Sequence, residues 1–502
     1  MDGMHSGDRL ISDRTRLLAL PVLLCLGACS VGPDYVAPAQ DLPAHWNGAT
    51  SPARPPVSSE WWRQFKDPVL DGLVTEAVAG NLDVAQAKAR IREARASRVQ
   101  AIAPLFPQVN GSASATRSRY ATSSDSGGGN GMGNSFRAGF DTSWELDIFG
   151  GRDRAIEAAT YGTEAAEDDL DGVLLTLVGD VAAAVIEARG YQARIVLARR
   201  TVETQRVTEA LTRVRFQAGD VSAVDTARSV AQVASTEAQI PALETALAQT
   251  LHRIAVLVGR PPSAMGSRLS GAAKVPATPA PPQAGVPADV LRNRPDVRRA
   301  ERSLAQATAR IGQAEAVRYP SVSLTGNIST SALKLGDLAK NSAIGWSIGP
   351  SLSVPIFNGG ELAAAVDVAR ARRDQSDAAL RLAVLSALQD VEDALVGLRQ
   401  ERLRLGSLST AAATSGQAAQ LSQALYQSGG ASFLDVLDAQ RSQYSSEDSR
   451  IQSQIALATR FIALNKALGG GWLRPVEVSR PRVEDPPQGP RLRAVSVEVP
   501  SP

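Results

Sequence analysis

The sequence is poor in cysteine and histidine, and each shortage removes a class of function. Both cysteines, Cys25 and Cys29, lie near the start of the 502-residue chain, so the remainder has neither a disulfide framework nor a cysteine-rich metal site. The histidines His5, His45 and His252 are scattered, which argues against a histidine metal centre or a Ser-His-Asp triad. We therefore expect no bound metal, no cofactor and no enzymatic activity.

The chain also has little net charge, few aromatic residues and, over long stretches, no proline. The formal net charge is +2 and there is no basic run, so no nucleic-acid partner is indicated. Aromatic residues make up only 4% of the chain, while helix-forming residues are abundant, which favours long helices over a bulky globular core. No proline occurs between residues 108 and 240 or between 356 and 474, so two long windows lack the strongest helix breaker.

The N-terminus has the pattern of a secretory signal. Arg9, Arg14 and Arg16 precede the apolar run LLALPVLLCLGACS, which is too short to remain as a membrane-spanning helix. The run ends in LGAC at Cys29, which resembles the bacterial lipobox and implies cleavage before Cys29 and diacylglycerol attachment to it. The alternative is an ordinary signal peptide with an incidental cysteine. Ser30 follows instead of aspartate, which by analogy with lipoprotein sorting points to the outer membrane, where lipid chains anchor but do not span.

The body of the chain contains an internal repeat. The segment LTRVRFQAGDVSAVD, from Leu211, aligns with LSQALYQSGGASFLD, from Leu421, at a shift of 421 − 211 = 210 positions. LFPQVNGSAS, ELDIFGGR and AVLVGR recur in the same order as RYPSVSLTGN, SVPIFNGGE and NKALGG. We infer a signal peptide at 1–28, a lipidated extension at 29–60, repeats at 61–262 and 288–472, a Pro-rich linker at 263–287 and a Pro-rich tail at 473–502. We expect the tail to be poorly ordered.

Each repeat contains two segments of alternating polarity. In SFRAGFDTSWELDI, from Ser135, apolar and polar residues alternate throughout, and the pattern recurs in the second repeat. Each segment has an earlier partner, so we predict strands at about 106–120, 135–149, 319–331 and 343–356, the first pair joined by the polar connection SSDSGGGNGMGN. They exceed the usual globular length of about five or six residues and match the ~9–11 residues of a tilted transmembrane strand.

Apolar-out, polar-in alternation is typical of an outer-membrane β-barrel, although a soluble β-sandwich also alternates. Four strands cannot close a barrel around a pore, and lipid-exposed sheet edges are not tolerated. A barrel built from these strands must therefore be shared between subunits.

The rest of each repeat is predicted to be helical. A helix from about Arg152 to Gln217 would be ~100 Å long at 1.5 Å per residue, so coiled-coil packing is implied. QAGD, from Gln217, and QSGG, from Gln427, predict turns between antiparallel helices, with glycine as the left-handed residue that ends the first helix. Each repeat then has a strand hairpin at one end and a helical hairpin at the other.

At these motifs the chain resembles the outer-membrane efflux channel family, also called outer membrane factors or TolC-like proteins, and within it the lipoprotein branch of nodulation T type. CSVGPDY follows the lipobox, and WWRQFKDPVLDGLVTEAVAGNLDVAQAKARIREARA begins at Trp61. LRNRPDVRRAERSLAQATARIGQAEAVRYPSVSLTG begins at Leu291, and PIFNGGE and LDVLDAQRSQ complete the set. The resemblance covers about Cys29 to Trp472. It implies an α+β membrane protein, a homotrimer in which each subunit gives four strands to one 12-stranded β-barrel continuous with a long periplasmic α-helical coiled-coil barrel.

The resemblance also implies an exit duct in the outer membrane of a Gram-negative bacterium. A periplasmic adaptor protein and an inner-membrane pump, of the resistance-nodulation-division type, would feed drugs, metals or other small solutes into it. Two other functions stay open. One is the outer-membrane channel of a type I protein-secretion system. The other is a non-channel lipoprotein that scaffolds the envelope, although a scaffold would not need four amphipathic strands.

Two carboxylates near the second turn, Asp435 and Asp438, are three residues apart and so share one helical face. Matching places in the family lie at the periplasmic tip, where the duct closes. Three-fold symmetry would turn Leu434 into an apolar constriction and the aspartates into two acidic rings, and such rings favour cations. The alternative is that the aspartates only interact with the helix dipole. An enzymatic dyad is disfavoured because no suitable partner residues are evident nearby.

The two helical turns differ in charge and share their glycines. The first repeat has Asp225 but Arg228 where the second has Asp438, which fits one inner and one outer hairpin. The turns around Gly219 and Gly429 are candidate contacts for the adaptor, because small residues permit close packing of helix tips. The same glycines are also expected to act as plain helix C-caps.

Overall fold

The computed structural model describes residues 30–40, 42–47, 60–120, 131–266, 268–269, 274–282, 287–472 and 475–483. The predicted signal peptide and Cys29 therefore lie outside the described residues. The chain divides into two compact units. The first contains the residues up to His45 together with Glu93–Asp169 and Pro287–Gln389, and the second contains Trp46–Arg92, Leu170–Val286 and the chain from Asp390 onward.

The four strands lie in the first unit and form one antiparallel sheet. They are β1 (Gln108–Tyr120), β2 (Gly131–Leu146), β3 (Ser321–Ala332) and β4 (Ile344–Ser353), in the spatial order β1-β2-β3-β4. Phe140 of β2 lies opposite Gly111 of β1 and Ile328 of β3, so the apolar positions of neighbouring strands share one face. The strands run along the chain as a meander, with β1 and β4 at the outside.

The limits of β2 differ from the predicted ones. The strand begins at Gly131, inside the stretch that was predicted to be a polar connection, because Gly131–Asn134 continues the ladder with β1 and Asn134 pairs with Arg117. It ends at Leu146 because Asp147 leaves the sheet. The Asp147 carboxylate Oδ2 accepts the backbone N–H groups of Arg152 and Asp153 at 2.8 and 2.9 Å, which starts the following helix.

The limits of the other strands also differ slightly from the predicted ones. β1 and β3 begin at Gln108 and Ser321, slightly later than predicted, directly after a proline in each case. β4 ends at Ser353 instead of continuing to 356, because Ser353 pairs with Ser321, the first residue of β3, and the ladder ends there.

The helices of the described chain include two of unusual length. They are α1 (Pro68–Gly80), α2 (Leu82–Ile102), α3 (Gly151–Gln217), α4 (Ala223–Glu237), α5 (Gln239–Leu257), α6 (Pro287–Asn293), α7 (Pro295–Ala316), α8 (Glu361–Gln427) and α9 (Phe433–Ala467). Helices α3 and α8 have 67 residues each, which corresponds to ~100 Å at 1.5 Å per residue. Within the described residues, none of the helices combines the length and the apolar character needed to cross a bilayer.

Charged and apolar contacts hold α7 in the first unit. Arg298 Nε donates to Asp168 Oδ1 at 2.7 Å, and Arg299 Nη1 donates to Asp169 Oδ1 at 2.9 Å, which ties α7 to α3. Apolar side chains of α6, α7 and α8 pack together in one cluster: Leu291, Val297, Leu304, Leu380, Val384 and Ala387. The LRNRPDVRRAERSL motif therefore builds the packing between three helices.

Arg154 helps to hold the described N-terminal residues within the first unit. Arg154 Nη2 donates to Asp34 Oδ1 at 2.7 Å, and Arg154 Nε donates to the Val31 carbonyl oxygen at 3.3 Å. At Gly32, where φ is +94°, a Cβ would lie 2.3 Å from the Gly312 Cα. The glycine of the VGPDY motif is therefore required by both its backbone conformation and the close approach of α7.

Aromatic residues organise the core of the second unit. Trp61 Nε1 donates to the carbonyl oxygen of Gly470 at 3.0 Å. The Phe461 ring meets the rings of Trp61 and Phe65 edge-on, with centroids 6.3 and 5.4 Å apart. The first residues of this unit are thereby joined to the end of α9.

Part of the tail is held in place, contrary to the prediction of poor order. Arg92 Nη1 donates to the carbonyl oxygens of Val478 and Arg480 at 2.9 and 3.3 Å. The guanidinium supplies charge-assisted hydrogen bonds that a proline-rich segment cannot make within itself. The remainder of the tail, 484–502, lies outside the described residues.

Candidate functional site at the helical hairpin tips

The first long helix, α3, ends in a glycine turn. Gly219 has a φ of +83°. Its N–H donates to the carbonyl oxygen of Phe216 at 3.0 Å, and the N–H of Asp220 donates to that of Arg215 at 2.9 Å. These are the two backbone hydrogen bonds of a Schellman motif, which satisfies carbonyl groups at a helix end.

The second long helix, α8, ends in the same way. Gly429 has a φ of +81°, its N–H donates to the Tyr426 carbonyl oxygen at 3.1 Å, and the Gly430 N–H donates to that of Leu425 at 2.8 Å. At both Gly219 and Gly429 a Cβ would meet no atom within 4 Å. The left-handed backbone, not a lack of space, therefore requires glycine at the two tips.

The helices that follow the turns begin with matching capping boxes. In α4, Ser222 Oγ accepts the N–H of Asp225 at 3.3 Å, and the Asp225 carboxylate accepts the N–H of Ser222 at 3.2 Å. In α9, Ser432 and Asp435 make the same pair of bonds at 3.3 and 3.0 Å. Each aspartate thus satisfies backbone groups at a helix start.

The capping hydrogen bonds also affect the ionisation of Asp435. The Ser432 hydroxyl donates to Asp435 Oδ2 at 2.7 Å, and the backbone N–H of Ser432 adds a second bond. These hydrogen bonds lower the pKa of the Asp435 carboxyl below its usual value. Asp435 is therefore held as a carboxylate at the start of α9.

Only the second tip has an aromatic core. The Tyr426 side chain is 1% exposed and the Phe433 side chain 4% exposed, with ring centroids 6.1 Å apart in an edge-on arrangement. Val436, Leu437 and Leu211 complete the cluster. The last turn of α8 is thereby packed against the first turn of α9 and against α3.

Polar contacts from α3 complete the environment of Tyr426. The Tyr426 hydroxyl lies 3.1 Å from Thr212 Oγ1. Arg215 Nη1 donates to the Tyr426 carbonyl oxygen at 2.7 Å, and the Arg215 Cζ lies 4.7 Å from the centre of the Tyr426 ring. One turn further, Gln440 Nε2 donates to Thr208 Oγ1 at 3.0 Å. These bonds connect the two helical hairpins within the second unit.

The predicted gate residues lie together on the outside of α9. Leu434 is 46% exposed, and Asp435 and Asp438 are exposed. Phe433 and Val436 point to the core instead, as the helical period requires. The structure thus brings an apolar side chain and two carboxylates to one exposed helix surface.

Sequence reasoning missed the residues behind this surface. Tyr426, Phe433 and Arg215 had no assigned role, although the two aromatic residues flank the turn in a chain where only 4% of residues are aromatic. In the first repeat the matching positions hold Phe216 and Ala223. The signal that could have identified the aromatic core was that Phe433 in the second repeat corresponds to an alanine, Ala223, in the first.

Comparisons with known proteins identify the family. A family model described as outer membrane efflux protein matches residues 73–260 and 286–470. The chain belongs to the outer membrane efflux protein family. It is 36% identical to nodulation protein T of Rhizobium leguminosarum bv. trifolii, over 89% of this chain and 96% of that protein. It is 32% identical to the pyoverdine export outer membrane protein OpmQ of Pseudomonas aeruginosa, over 91% of this chain and 97% of that protein.

A solved structure shows the same fold. The outer-membrane channel OprN superposes with a TM-score of 0.83 at 36% identity, covering 88% of this chain and all of that one. The family resemblance inferred from the motifs is confirmed. The protein is an outer-membrane efflux channel, the exit duct of an efflux system.

Proposed function

We propose that three copies of this chain form one duct, in which their sheets close a 12-stranded β-barrel in the outer membrane. The supporting observation is the four-stranded sheet, which has one apolar face and two outer strands, β1 and β4. Four strands are too few to enclose a pore, and unpaired strand edges in lipid are costly. Pairing of β4 with β1 of the next copy would satisfy every edge. Helices α3 and α8 would form a periplasmic coiled-coil barrel.

We also infer that the fold is an internal duplication. Helices α3 and α8 have the same length of 67 residues, and each is followed by a glycine turn and a Ser–Asp capping box. The family model matches two successive segments of the chain. These observations support the proposed division into repeats at 61–262 and 288–472, with the linker at 263–287.

Lipidation of Cys29 would add a membrane anchor after removal of residues 1–28. The residues directly after Cys29 lie close to the end of strand β2. The Val31 N–H donates to the carbonyl oxygen of Phe149 at 3.1 Å, just beyond the end of β2, and a Cβ at Gly150 would lie 2.9 Å from the Ser30 Cα. The chain next to Cys29 is therefore packed at the junction of the sheet and α3, which supports an acyl anchor beside the barrel rim.

The second hairpin tip would provide the gate. Leu434 would supply an apolar constriction, and Asp435 and Asp438 would supply two acidic rings around the three-fold axis. Their exposure on one side of α9 supports this assignment. The cap formed by Asp435 is compatible with it, because a capping carboxylate keeps its negative charge. The turns at Gly219 and Gly429 are the proposed contacts for the adaptor.

The partners and cargo follow from the family. We infer a periplasmic adaptor and an inner-membrane pump of the resistance-nodulation-division type. The cargo would be drugs or other small solutes. The name of one relative, a pyoverdine export protein, supports this assignment. A type I protein-secretion channel is the alternative within transport, whereas membership of the outer membrane efflux protein family argues against an envelope scaffold.

Bilayer recordings separate these functions. Purified full-length trimers should conduct ions when inserted into planar bilayers, whereas a scaffold would give no currents. Deletion of the gene should cause hypersensitivity to small toxic compounds if the chain serves drug efflux. A secretion channel would instead lose export of a protein without such hypersensitivity.

The gate is tested by separating its charge from the helix cap. Asp438→Asn removes one proposed ring without touching the capping box, and Asp435→Asn removes a ring together with the charge of the capping carboxylate. Both variants should raise conductance or weaken block by divalent cations, most strongly in combination. Asp225→Asn is the matched control, because it removes the equivalent capping charge from the first tip. Unchanged currents in the Asp435 and Asp438 variants, or equal effects in the control, would contradict the gate.

A further inference from the structure

One face of the four-stranded sheet is apolar along most of its length. Its middle row contains Gly111, Phe140, Ile328 and Trp346, which lie directly opposite one another on successive strands. The face extends from Val322 to Ala332 along β3, a span of ten residue-to-residue steps. At ~3.3 Å per residue and a strand tilt of ~40°, this corresponds to about 25 Å along the membrane normal, the height of the apolar band of an outer-membrane barrel.

Two arginines follow this band on the same face. Ala115 pairs with Phe136 in the last apolar row, and the next positions of β1 on this face are Arg117, opposite Asn134, and Arg119, opposite Met132. Both arginine side chains are exposed. Their Cα atoms are about 7 Å apart, since they are two residues apart on one strand. They would lie about 5 and 10 Å beyond the apolar band.

The arginines have no acidic neighbour on their face of the described strands. The carboxylates of β2, Asp141 and Glu145, lie in register with the opposite face. The Arg117 side chain contacts the sulfur of Met132, with Nη2 3.5 Å from Sδ. Two guanidinium groups are thus directed away from the polar side of the sheet, and the described strands place no countercharge on their face.

The other end of the band is aromatic instead of basic. Trp144 Nε1 donates to the carbonyl oxygen of Leu105 at 2.9 Å, and the rings of Phe149 and Tyr319 stack with centroids 4.8 Å apart. Such residues are typical of a membrane interface. This end continues into α3 and is preceded by α7, so in the proposed duct it is the periplasmic end. The arginines then lie at the level of the outer-leaflet headgroups.

We propose that Arg117 and Arg119 form a binding site for the phosphate groups of outer-leaflet lipids. The fork geometry of a guanidinium matches phosphate oxygens with two parallel hydrogen bonds. Two such forks about 7 Å apart can hold two phosphates of one headgroup. The site rests on the proposed barrel, because only insertion in a bilayer brings the headgroups to this height. It would fix the depth of the barrel at its outer rim, opposite the aromatic end.

The test compares lipid binding by purified full-length trimers in native mass spectrometry. The proteins are the wild type, the double variant Arg117→Gln with Arg119→Gln, and Arg137→Gln. Arg137 is the matched control because it is an exposed arginine of β2 in register with Ser114, on the opposite face. The probes are diphosphoryl lipid A, the same lipid after removal of its phosphates, and phosphatidylglycerol.

We expect the double variant to bind diphosphoryl lipid A about tenfold more weakly than the wild type, because it loses several charge-assisted hydrogen bonds. The control should bind like the wild type, and dephosphorylated lipid A should not distinguish the proteins. A difference confined to phosphatidylglycerol would support the phosphate site and assign it to phospholipid. If the wild type and the double variant bound every probe equally, the proposed phosphate site would be overturned.

Two further readouts separate this proposal from the barrel on which it rests. Wild-type protein that forms no trimers, or trimers that conduct no ions in bilayers, would contradict the proposed duct. Conducting trimers with equal lipid binding would contradict only the headgroup site. Loss of trimers in the double variant with unchanged lipid binding per trimer would place the arginines in a subunit interface and also overturn the proposal.

Discussion

The two helical hairpin tips have the same backbone and different interiors. Both have a glycine with φ near +80°, the same Schellman hydrogen bonds and the same Ser–Asp capping box. Yet Tyr426 is 1% exposed at the second tip, whereas Phe216, at the matching position of the first, is 43% exposed. The turn geometry depends on a few local residues, whereas burial of the aromatic ring before the turn depends on which side chains the following helix packs against it.

One substitution between the repeats explains most of this difference. Phe433 begins α9 and packs edge-on against Tyr426, whereas Ala223 occupies the matching position in α4. Alanine cannot cover an aromatic ring, so Phe216 remains exposed. The second tip is thus packed against its own chain, and the first keeps an uncovered apolar surface.

The largest expected effect comes from removing the aromatic core. Phe433→Ala should destabilise the second tip by about 3–5 kcal/mol, the usual cost of truncating a buried aromatic residue. Phe216→Ala should cost about 1 kcal/mol or less at the first tip, because its ring is only half-buried. Hydrogen exchange at residues 421–440 and 211–230 of the purified channel measures both. Equal losses of exchange protection at the two tips would show that a neighbouring subunit covers Phe216 in the assembled channel. The difference between the tips would then exist only in an isolated chain.

A smaller and equal effect is expected at the two glycines. Gly429→Ala and Gly219→Ala should each destabilise their turn by about 1–2 kcal/mol, because an L-residue is strained at positive φ and neither position has a steric obstacle. Local hydrogen exchange at each turn is the measurement. A much larger cost at one tip would show that the apparent symmetry of the turns is broken by contacts in the assembly.

The smallest effect concerns the pH dependence of the second tip. The pKa of Asp435 is lowered by hydrogen bonds from Ser432, so its cap stabilises α9 above the ordinary carboxyl pKa of about 4. That contribution is lost as the pH falls through the lower folded value. We expect the exchange protection of wild type and Asp435→Asn, corrected for the intrinsic rate, to converge as the pH falls from 6 to 3.

Asp438→Asn serves as the control for this titration, since Asp438 lies outside the capping box. Its protection should follow the wild type over the whole range. If the Asp435 variant kept a constant difference from the wild type at low pH, ionisation of this carboxyl would not contribute to the cap.

The local features of the site were largely predictable. The alternation in SFRAGFDTSWELDI indicated β2, and the strand is present, but its start at Gly131 depends on pairing with β1 rather than on its own residues. QSGG predicted the turn at Gly429, because glycine adopts a left-handed backbone that other residues avoid. Asp435 was placed at a helix start, but its hydrogen bonds to Ser432 needed coordinates to become a capping box.

Contacts between distant segments were not predictable. Arg215 and Tyr426 are 211 positions apart and meet through a hydrogen bond and a cation–π contact, and no local pattern indicates that these two residues pair. Arg92 likewise holds Val478 and Arg480, in a tail whose composition predicted poor order. Such contacts depend on which surfaces the long helices bring together, and periodicity alone does not specify a partner.

The sequence by itself determined the membrane-type strands, the two ~100 Å helices, the glycine turns and the family, because these follow from periodicity, proline placement and short motifs. Only the tertiary structure decided that YQSGGASFLDVLDAQ buries Tyr426 and Phe433 while leaving Leu434, Asp435 and Asp438 exposed. It also decided that Arg117 and Arg119 follow the apolar band on its own face, since strand register, and not composition, sets which side chains share a face.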